Sequence, residues 1–286
     1  MIKEKGAKPF IKWAGGKTQL IETIKVALPY NIINKKFTYI EPFVGGGAIL
    51  FWMLNNFPNL ERAVINDING DLTNSYLTIK NNVHGVIEQL EKWEKEYHSL
   101  LHNSVEKEKY FYDKRDLFNS RSSDAATHTA LFIFLNRTCF NGLYRVNRKN
   151  LFNVPIGSYK APMICDRDNL MAVSKALGKV EILNGDFAET INYATENSFF
   201  YFDPPYKPLN QTSSFNSYAK DEFNDESQIR LRDFCCELAA KGHNCMLSNS
   251  DVKGHNSEDE FFDELYCAHN IVRVGASNNT IISLSF

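Results

Sequence analysis

The sequence has no stretch approaching the ~18 consecutive apolar residues that a membrane-spanning helix needs, and its first ten residues, MIKEKGAKPF, lack the apolar core of a signal peptide. A cytoplasmic protein without a membrane partner is the expectation. The six cysteines (Cys139, Cys165, Cys235, Cys236, Cys245, Cys267) form no Cys-x-x-Cys pair and the seven histidines are scattered. Neither a disulfide framework nor a zinc site is suggested, no bound metal is expected, and the thiols are read as reduced. No internal repeat or low-complexity segment appears.

A further absence is local. Residues 125–165 contain no Asp or Glu, yet they carry Arg137, Arg145, Arg148, Lys149 and Lys160 with Phe140, Tyr144, Phe152 and Tyr159 among them. The overall formal charge of −2 hides this stretch. Cations without acids are the footprint of a phosphate-binding face, but a solvated basic loop carries the same charge, so charge alone leaves both open.

What is present is an α/β rhythm. With 286 residues and 43% hydrophobic content the chain can bury a sizeable core, as one large domain or two smaller ones. Five apolar runs each stop at a polar or glycine-rich turn: FTYIEPFVGGG (37–47), RAVINDIN (62–69), VEILNGDF (180–187), SFFYFDPPY (198–206) and NCMLSNS (244–250). Each reads as a buried strand of roughly four to six residues, with amphipathic helical stretches such as 225–241 between or beside them. Open sheets of this kind bind ligands beyond the carboxyl ends of their strands, where the polar groups of all five runs fall. From 71 to about 163 the rhythm gives way to a charged helical segment (83–112), an apolar helix (125–135) and the basic stretch. The expected division is a sheet domain of residues 1–70 and 164–286 with an inserted, mainly helical domain of residues 71–163.

Three short segments carry chemistry. Gly45-Gly46-Gly47 removes every Cβ where the chain leaves the first strand, which lets the backbone approach a ligand or simply pack closely. Asp67 stands twenty residues after Gly47 at the end of the next apolar run, where such folds place an acid on the hydroxyls of a ribose. Together they suggest a nucleoside-containing cofactor. In FIKWAGGKTQL (10–20) the Gly-Lys-Thr triplet raises a phosphate-binding loop, but that motif needs glycine where Ile11 stands. Trp13 and Lys17 instead offer a flat aromatic and a cation to a small-molecule pocket, or else a packed ring and a surface charge.

The third segment is Asp203-Pro204-Pro205-Tyr206. Consecutive prolines make a stiff turn whose carbonyls have no local donor. Asp203 and the carbonyl of Pro204 can then accept the two hydrogens of one exocyclic amine, while Tyr206 offers a face on which its ring stacks. Holding both N–H bonds from one side favours a pyramidal nitrogen and frees its lone pair. The segment suits attack by an aromatic amine.

Taken together, KPFIKWAGGK, YIEPFVGGGA, INDIN, NRTCFNGLYRVNRKNLFNVPIGSY, NGDF and YFDPPY resemble the Dam-type DNA adenine N6-methyltransferases, which include restriction-modification enzymes specific for GATC. The resemblance implies a Rossmann-like methyltransferase sheet with an inserted helical target-recognition domain. It implies S-adenosyl-L-methionine as cofactor, double-stranded DNA as partner, and transfer of a methyl group to N6 of an adenine flipped out of the duplex. By match of position it places Trp13, Lys17, Phe43, Gly45, Asp67, Asp186, Phe187 and Asp203 at the cofactor. Asp203, Pro204 and Tyr206 become the catalytic segment. Phe140 and Asn141 prop the gap left by the flipped base, Leu143, Arg145, Pro155 and Lys12 read bases, and Lys149 is taken as a phosphate contact. The sequence departs from the family after IVRVGASNN, ending in NNTIISLSF. A short or missing final hairpin is therefore expected, with the alternative of a DNA-binding protein of the same fold that has lost activity.

Overall fold

The computed structural model describes residues 6–14, 20–206, 223–250, 258–274 and 280–285. Lys17 lies outside the described residues. The chain forms two compact units, a helical one of Met1–Gly16, Gly45–Asn55 and Asn69–Gly178, and a sheet one of Lys17–Val44, Asn56–Ile68 and Lys179–Phe286.

The sheet unit is built on β1 (Phe37–Glu41), β2 (Leu60–Asp67), β3 (Val180–Asn184), β4 (Ser198–Phe202), β5 (Asn244–Ser250), β6 (Asn270–Val274) and β7 (Thr280–Ser285). These pair in the order β3-β2-β1-β4-β5-β7-β6. The first five are parallel and β7 runs antiparallel to both neighbours. This is the expected Rossmann-like sheet, and its strand order reverses between β1 and β4. Every residue of β1 and β4 is buried because each has a strand on both sides. The expectation of a buried strand fails for β3, where only Val180 is buried, because β3 is an edge of the sheet.

Register sets one row of side chains against the helices. Ile40 aligns with Val64 and Phe200, and Phe200 with Cys245. This row packs with Phe202 and Leu247 against Leu231, Phe234, Cys235 and Leu238 of α8 (Asp225–Ala240) and against Phe262 of α9 (Phe261–Leu265). Each such side chain stabilises the fold by roughly 1.5–3 kcal/mol. Short helices α1 (Ile21–Val26) and α2 (Tyr30–Asn34) precede β1.

The final hairpin, expected to be short or missing, is present. β7 pairs with β5 over six residues and with β6 over five. NNTIISLSF contains that strand, its Ile-Ile-Ser-Leu run having the composition of a strand that a comparison of motifs overlooks.

The helical unit holds α3 (Ala48–Asn56, up to Asn55), α4 (Gly70–Ser99, broken by a kink at Asn82, where φ is −147 and ψ 53), α5 (Val105–Ser120), α6 (Ala125–Thr138) and α7 (Arg167–Ala176). Leu72, Tyr76, Ile79, Val83, Val86, Leu90, Trp93 and Tyr97 recur at three- and four-residue spacing on α4 and are all buried. Trp93 and Tyr97 meet Phe134 of α6 edge-on, at ring centroids 6.2 and 5.4 Å. The single helical segment expected over 83–112 is two helices. Leu100 turns to extended backbone, Asn103 adopts φ 57, and Ser104 caps α5 by accepting from Lys107 N at 3.1 Å. No helix among the described residues is long and apolar enough to cross a membrane.

Candidate functional site

In the sheet unit the carboxyl ends of four neighbouring strands carry the polar groups. Buried Asn66, the penultimate residue of β2, donates to the carbonyls of Pro42 at 3.1 Å and Gly185 at 3.0 Å. One side chain thus ties the loops after β1 and β3 on either side of β2. Asp67 ends β2 half-buried, and the next residue, Ile68, is 74% exposed. After β3, Asp186 caps a short 3-10 turn by accepting from Ala188 N at 2.9 Å, and the Arg230 guanidinium grips both its oxygens. That guanidinium, with help from the capping amide and despite partial burial, holds the Asp186 carboxyl below the usual range. Arg230 also lies 4.5 Å from the Phe187 ring centroid, and Phe187 packs on Phe43 at 5.4 Å. The structure thus places Phe43 beside Phe187, while any ligand of Asp186 shares it with Arg230.

At the point of strand reversal stand Glu41 and Asp203. Glu41 is buried and accepts from Tyr39 Oη at 2.8 Å; Tyr201 Oη lies 2.9 Å from Ser248 Oγ. Burial first, and then the carboxyl groups of Glu41 and Asp203, push the Tyr39 phenol well above its ordinary value; burial and Asp203 do the same to Tyr201. Pro204 is buried, and Asp203 and Tyr206 are half-buried. The turn is held from behind, since Gln228, fully buried on α8, donates to the Pro205 carbonyl at 3.4 Å and accepts from Asn249 at 3.1 Å.

In the helical unit Gly45 and Gly47 adopt φ 48 and 75. A Cβ on Gly45 would come within 2.9 Å of the Trp13 indole, and one on Gly47 within 2.5 Å of Tyr76 Oη, so both glycines are required by close packing as well as by backbone angle. Trp13 is half-buried and stacks on Tyr144 at 5.6 Å and 24°. Tyr144 donates to Asp71 at 2.7 Å. Burial alone would raise the Asp71 pKa, but hydrogen bonds from His128, Arg121 and Tyr144 outweigh it and bring the carboxyl down to about 2.

The same unit carries an exposed group of mixed character. Phe140 is 51% and Leu143 41% exposed, and Lys12, Asn141, Arg145, Lys149 and Pro155 are exposed as well. Asn141 sits at φ 55, a conformation that asparagine tolerates. Phe140 N donates to the Pro155 carbonyl at 2.9 Å, and Gly142 leaves space that the Lys12 side chain fills. Lys12 Nζ reaches Tyr159 Oη at 3.3 Å and stands 4.5 Å from its ring centroid. Buried Asn136 locks the arrangement by bonding the Lys12 amide and carbonyl and the Gly142 carbonyl, each at 2.8 Å. Arg145 starts a hairpin whose strands meet at the Val146–Phe152 bridge, and its Nε donates to Asn153 Oδ1 at 2.8 Å. Arg148 and Lys149 occupy the turn of that hairpin, closed by Asn147.

The structure brings Lys12, Phe140, Leu143, Arg145 and Pro155 into one unit, and Phe43, Asp67, Asp186, Phe187, Asp203, Pro204 and Tyr206 into the other. Sequence reasoning missed Asn66, Asn136, Gln228 and Asn249. Gln228 had a signal, a polar residue on the apolar stripe that continues through Leu231, Cys235 and Leu238; Asn136 likewise interrupts the buried run of α6. Among the described residues no cluster of His, Cys, Asp and Glu stands ready to hold a metal ion, and the six cysteines are free.

Comparison with known proteins follows the same lines. The family model for D12 class N6 adenine-specific DNA methyltransferases matches residues 13–280. The chain is 48% identical to the type II methyltransferase M.MjaIII of Methanocaldococcus jannaschii, over 94% of this chain and 91% of that protein. It is 39% identical to the DNA adenine methylase of Haemophilus influenzae, over 86% and 80%, and 32% identical to that of Escherichia coli K12, over 86% and 81%. Matched in sequence over most of its length, and carrying Asp-Pro-Pro-Tyr at the end of β4 beside the strand reversal, the chain belongs to the D12 class N6 adenine-specific DNA methyltransferases.

Proposed function

We propose that this enzyme uses S-adenosyl-L-methionine to methylate N6 of an adenine turned out of double-stranded DNA, within the sequence GATC. The observation that carries the proposal is the placement of Asp203-Pro204-Pro205-Tyr206 at the carboxyl end of β4, where the strand order reverses and open sheets bind their ligands.

The residues present fit the cofactor. Asp67 is the strand-end acid for ribose hydroxyls, and exposed Ile68 with the half-buried Phe43 ring, backed by buried Phe187, supplies apolar surface for a nucleoside base. Acidic side chains at adjoining strand ends, Glu41 and Asp203, suit a cationic ligand. Trp13, Gly45 and, outside the described residues, Lys17 are assigned to it by resemblance. When bound, the sulfonium supplies a methyl group already activated for displacement. The protein's own part is orientation, which can be worth roughly 7–11 kcal/mol. Asp203 and the Pro204 carbonyl hold the amine, Tyr206 stacks on its ring, and the Gln228–Asn249 relay keeps the turn from moving.

Reading falls to the exposed group. Turning the base out costs a few kcal/mol, met by stacking on Tyr206, by Phe140 and Asn141 at the vacated gap, and by phosphate neutralisation. Leu143, Arg145, Pro155 and Lys12 are the base-reading side chains, and Lys149 is a phosphate anchor. In functional terms residues 1–70 and 164–286 form the catalytic domain and residues 71–163 the target-recognition domain. A restriction-modification role is suggested by the type II relative. The alternative is a binding protein of the same fold that has lost turnover through its altered C-terminus; β6 and β7 are present there, and methyl transfer to duplex DNA separates the two readings.

Sequencing that reports modified bases in unmethylated DNA exposed to the protein and S-adenosyl-L-methionine tests the proposal. N6-methyladenine confined to GATC is expected. Methylated adenine in another motif would refute the base-reading assignment, and methylated cytosine would refute the chemistry.

A further inference from the structure

Asp71 is a half-buried acid in a unit whose exposed group is cationic. Its side chain is 12% exposed and has three donors from three elements. Tyr144 Oη donates at 2.7 Å, His128 Nε2 on α6 lies at 3.1 Å, and the Arg121 guanidinium completes the set. Arg121 caps α5 in the left-handed conformation at φ 55 and donates its other terminal nitrogen to the Asn150 carbonyl at 3.2 Å. Two residues earlier, Asn119 pairs with both backbone groups of Phe152, at 2.7 and 3.1 Å. The hairpin that presents Arg145 and Lys149 is therefore fastened at its start through Tyr144 and on its return through Asn150 and Phe152. Tyr144 is also the residue between Leu143 and Arg145, and its other face lies on Trp13, which itself packs on Gly45 and Gly46.

We propose that Asp71 is a positioning residue for sequence reading, acting through Tyr144: fixing the phenol fixes the backbone on either side of it, and with it the exposed side chains of Leu143 and Arg145. The proposal rests on the reading of Arg145 as a base contact. A bidentate arginine discriminates through the alignment of two parallel hydrogen bonds, so a loosened backbone costs discrimination first. General affinity for DNA, carried by phosphate contacts, is affected less. The fastening also reduces the side-chain and loop freedom lost on binding.

The test uses Tyr144→Phe, which keeps the ring against Trp13 and removes the hydroxyl, and Asp71→Asn, which keeps the shape and removes the charge. The readout is the ratio of kcat/KM on a GATC duplex to kcat/KM on one with the outer guanine replaced. Each variant should lower that ratio about tenfold, the worth of one hydrogen bond. The double variant should lose less than the sum of the two single losses, since both substitutions act on the Tyr144–Asp71 contact. Cofactor affinity by calorimetry and melting temperature should stay near wild type in Tyr144→Phe, which a general loss of structure would not allow. If Asp71→Asn does not fold, Tyr144→Phe alone decides. Arg145→Ala is measured in parallel. Wild-type discrimination in Tyr144→Phe, with relaxed discrimination in Arg145→Ala, overturns the Asp71 assignment and leaves base reading by Arg145 in place. Wild-type discrimination in Arg145→Ala overturns that reading and the proposal with it. Additive losses in the double variant also overturn it.

Discussion

The strand ends of the sheet unit and the hairpin of the helical unit are built on opposite principles. Asp67 and Asp203 leave buried parallel strands and are framed by buried polar side chains: Asn66 ties the loops, Gln228 and Asn249 brace the proline turn, and Tyr39 and Tyr201 pair with Glu41 and Ser248 on the flanking strands. Arg145, Lys149, Leu143 and Phe140 stand exposed on a loop with only isolated bridges, kept in place by side-chain contacts to Asp71, Asn119 and Asn136. The first region resembles a rigid chemical centre with few charges to offer a polyanion. The second offers charge, apolar surface and hydrogen bonds to a large partner. On the proposed reading, the catalytic segment and the base-reading hairpin are separate sets of side chains in separate units, although Trp13 and Gly45 of the helical unit are assigned to the cofactor, so substitutions in the two sets should separate chemistry from selection.

The largest effect, and the hardest test of that separation, is expected from Asp203→Ala. It should reduce methyl transfer by at least about a hundred- to a thousandfold, the range for losing a pre-aimed polar group, while duplex affinity stays within about tenfold. Near-normal turnover by filter-binding assay would remove Asp203 from the chemistry. Asp67→Ala should weaken S-adenosyl-L-methionine binding by roughly 1.5–3 kcal/mol without altering sequence preference. An unchanged dissociation constant by calorimetry would make Asp67 a structural strand-end acid.

The helical side can be probed by acid. With its carboxyl held at about 2 in the fold against 3.8 ordinarily, Asp71 contributes stability that is present above pH 4 and lost as pH falls toward 2. The shift corresponds to about 2 kcal/mol. Melting curves of Asp71→Asn should therefore be flatter between pH 4 and 2 than those of the wild type; parallel curves would mean that Asp71 gains nothing from its donors. The finest contrast lies within the hairpin. Arg145→Ala should relax preference at the outer base pair by about 1–3 kcal/mol. Lys149→Ala should instead weaken binding to all sequences alike and lower the salt slope by about 1. Matching sequence profiles for the two would erase the distinction between reader and anchor.

Much of the sheet was legible because buried parallel strands read as apolar runs that stop where the chain turns polar; β1, β2, β4 and β5 coincide with such runs, as does α8 with its stripe. The strand-end residues followed from the same stops. The break before Ser104 was not legible, because one residue in the left-handed region and one cap decide it within an otherwise helical composition. The side chains that hold the site were hidden for a different reason. Asn66, Gln228, Asn249 and Asp71 have their roles through partners far away in sequence, from 21 residues for Asn249 and Gln228 to 119 for Asn66 and Gly185, and no local pattern announces such pairs. The final hairpin was missed because its strand matches no motif, only the general preference of β-branched residues for strands.

Binding-site selection with the Asp203→Ala protein tests the division of labour most directly. The variant is incubated with a random duplex library and S-adenosyl-L-methionine, the retained DNA is sequenced, and its motif is compared with the one the wild-type protein methylates. The account predicts the same motif, GATC, enriched by a protein that leaves the adenine unmodified. Loss of the motif together with loss of methylation would show that reading and chemistry depend on the same side chain, and would contradict it.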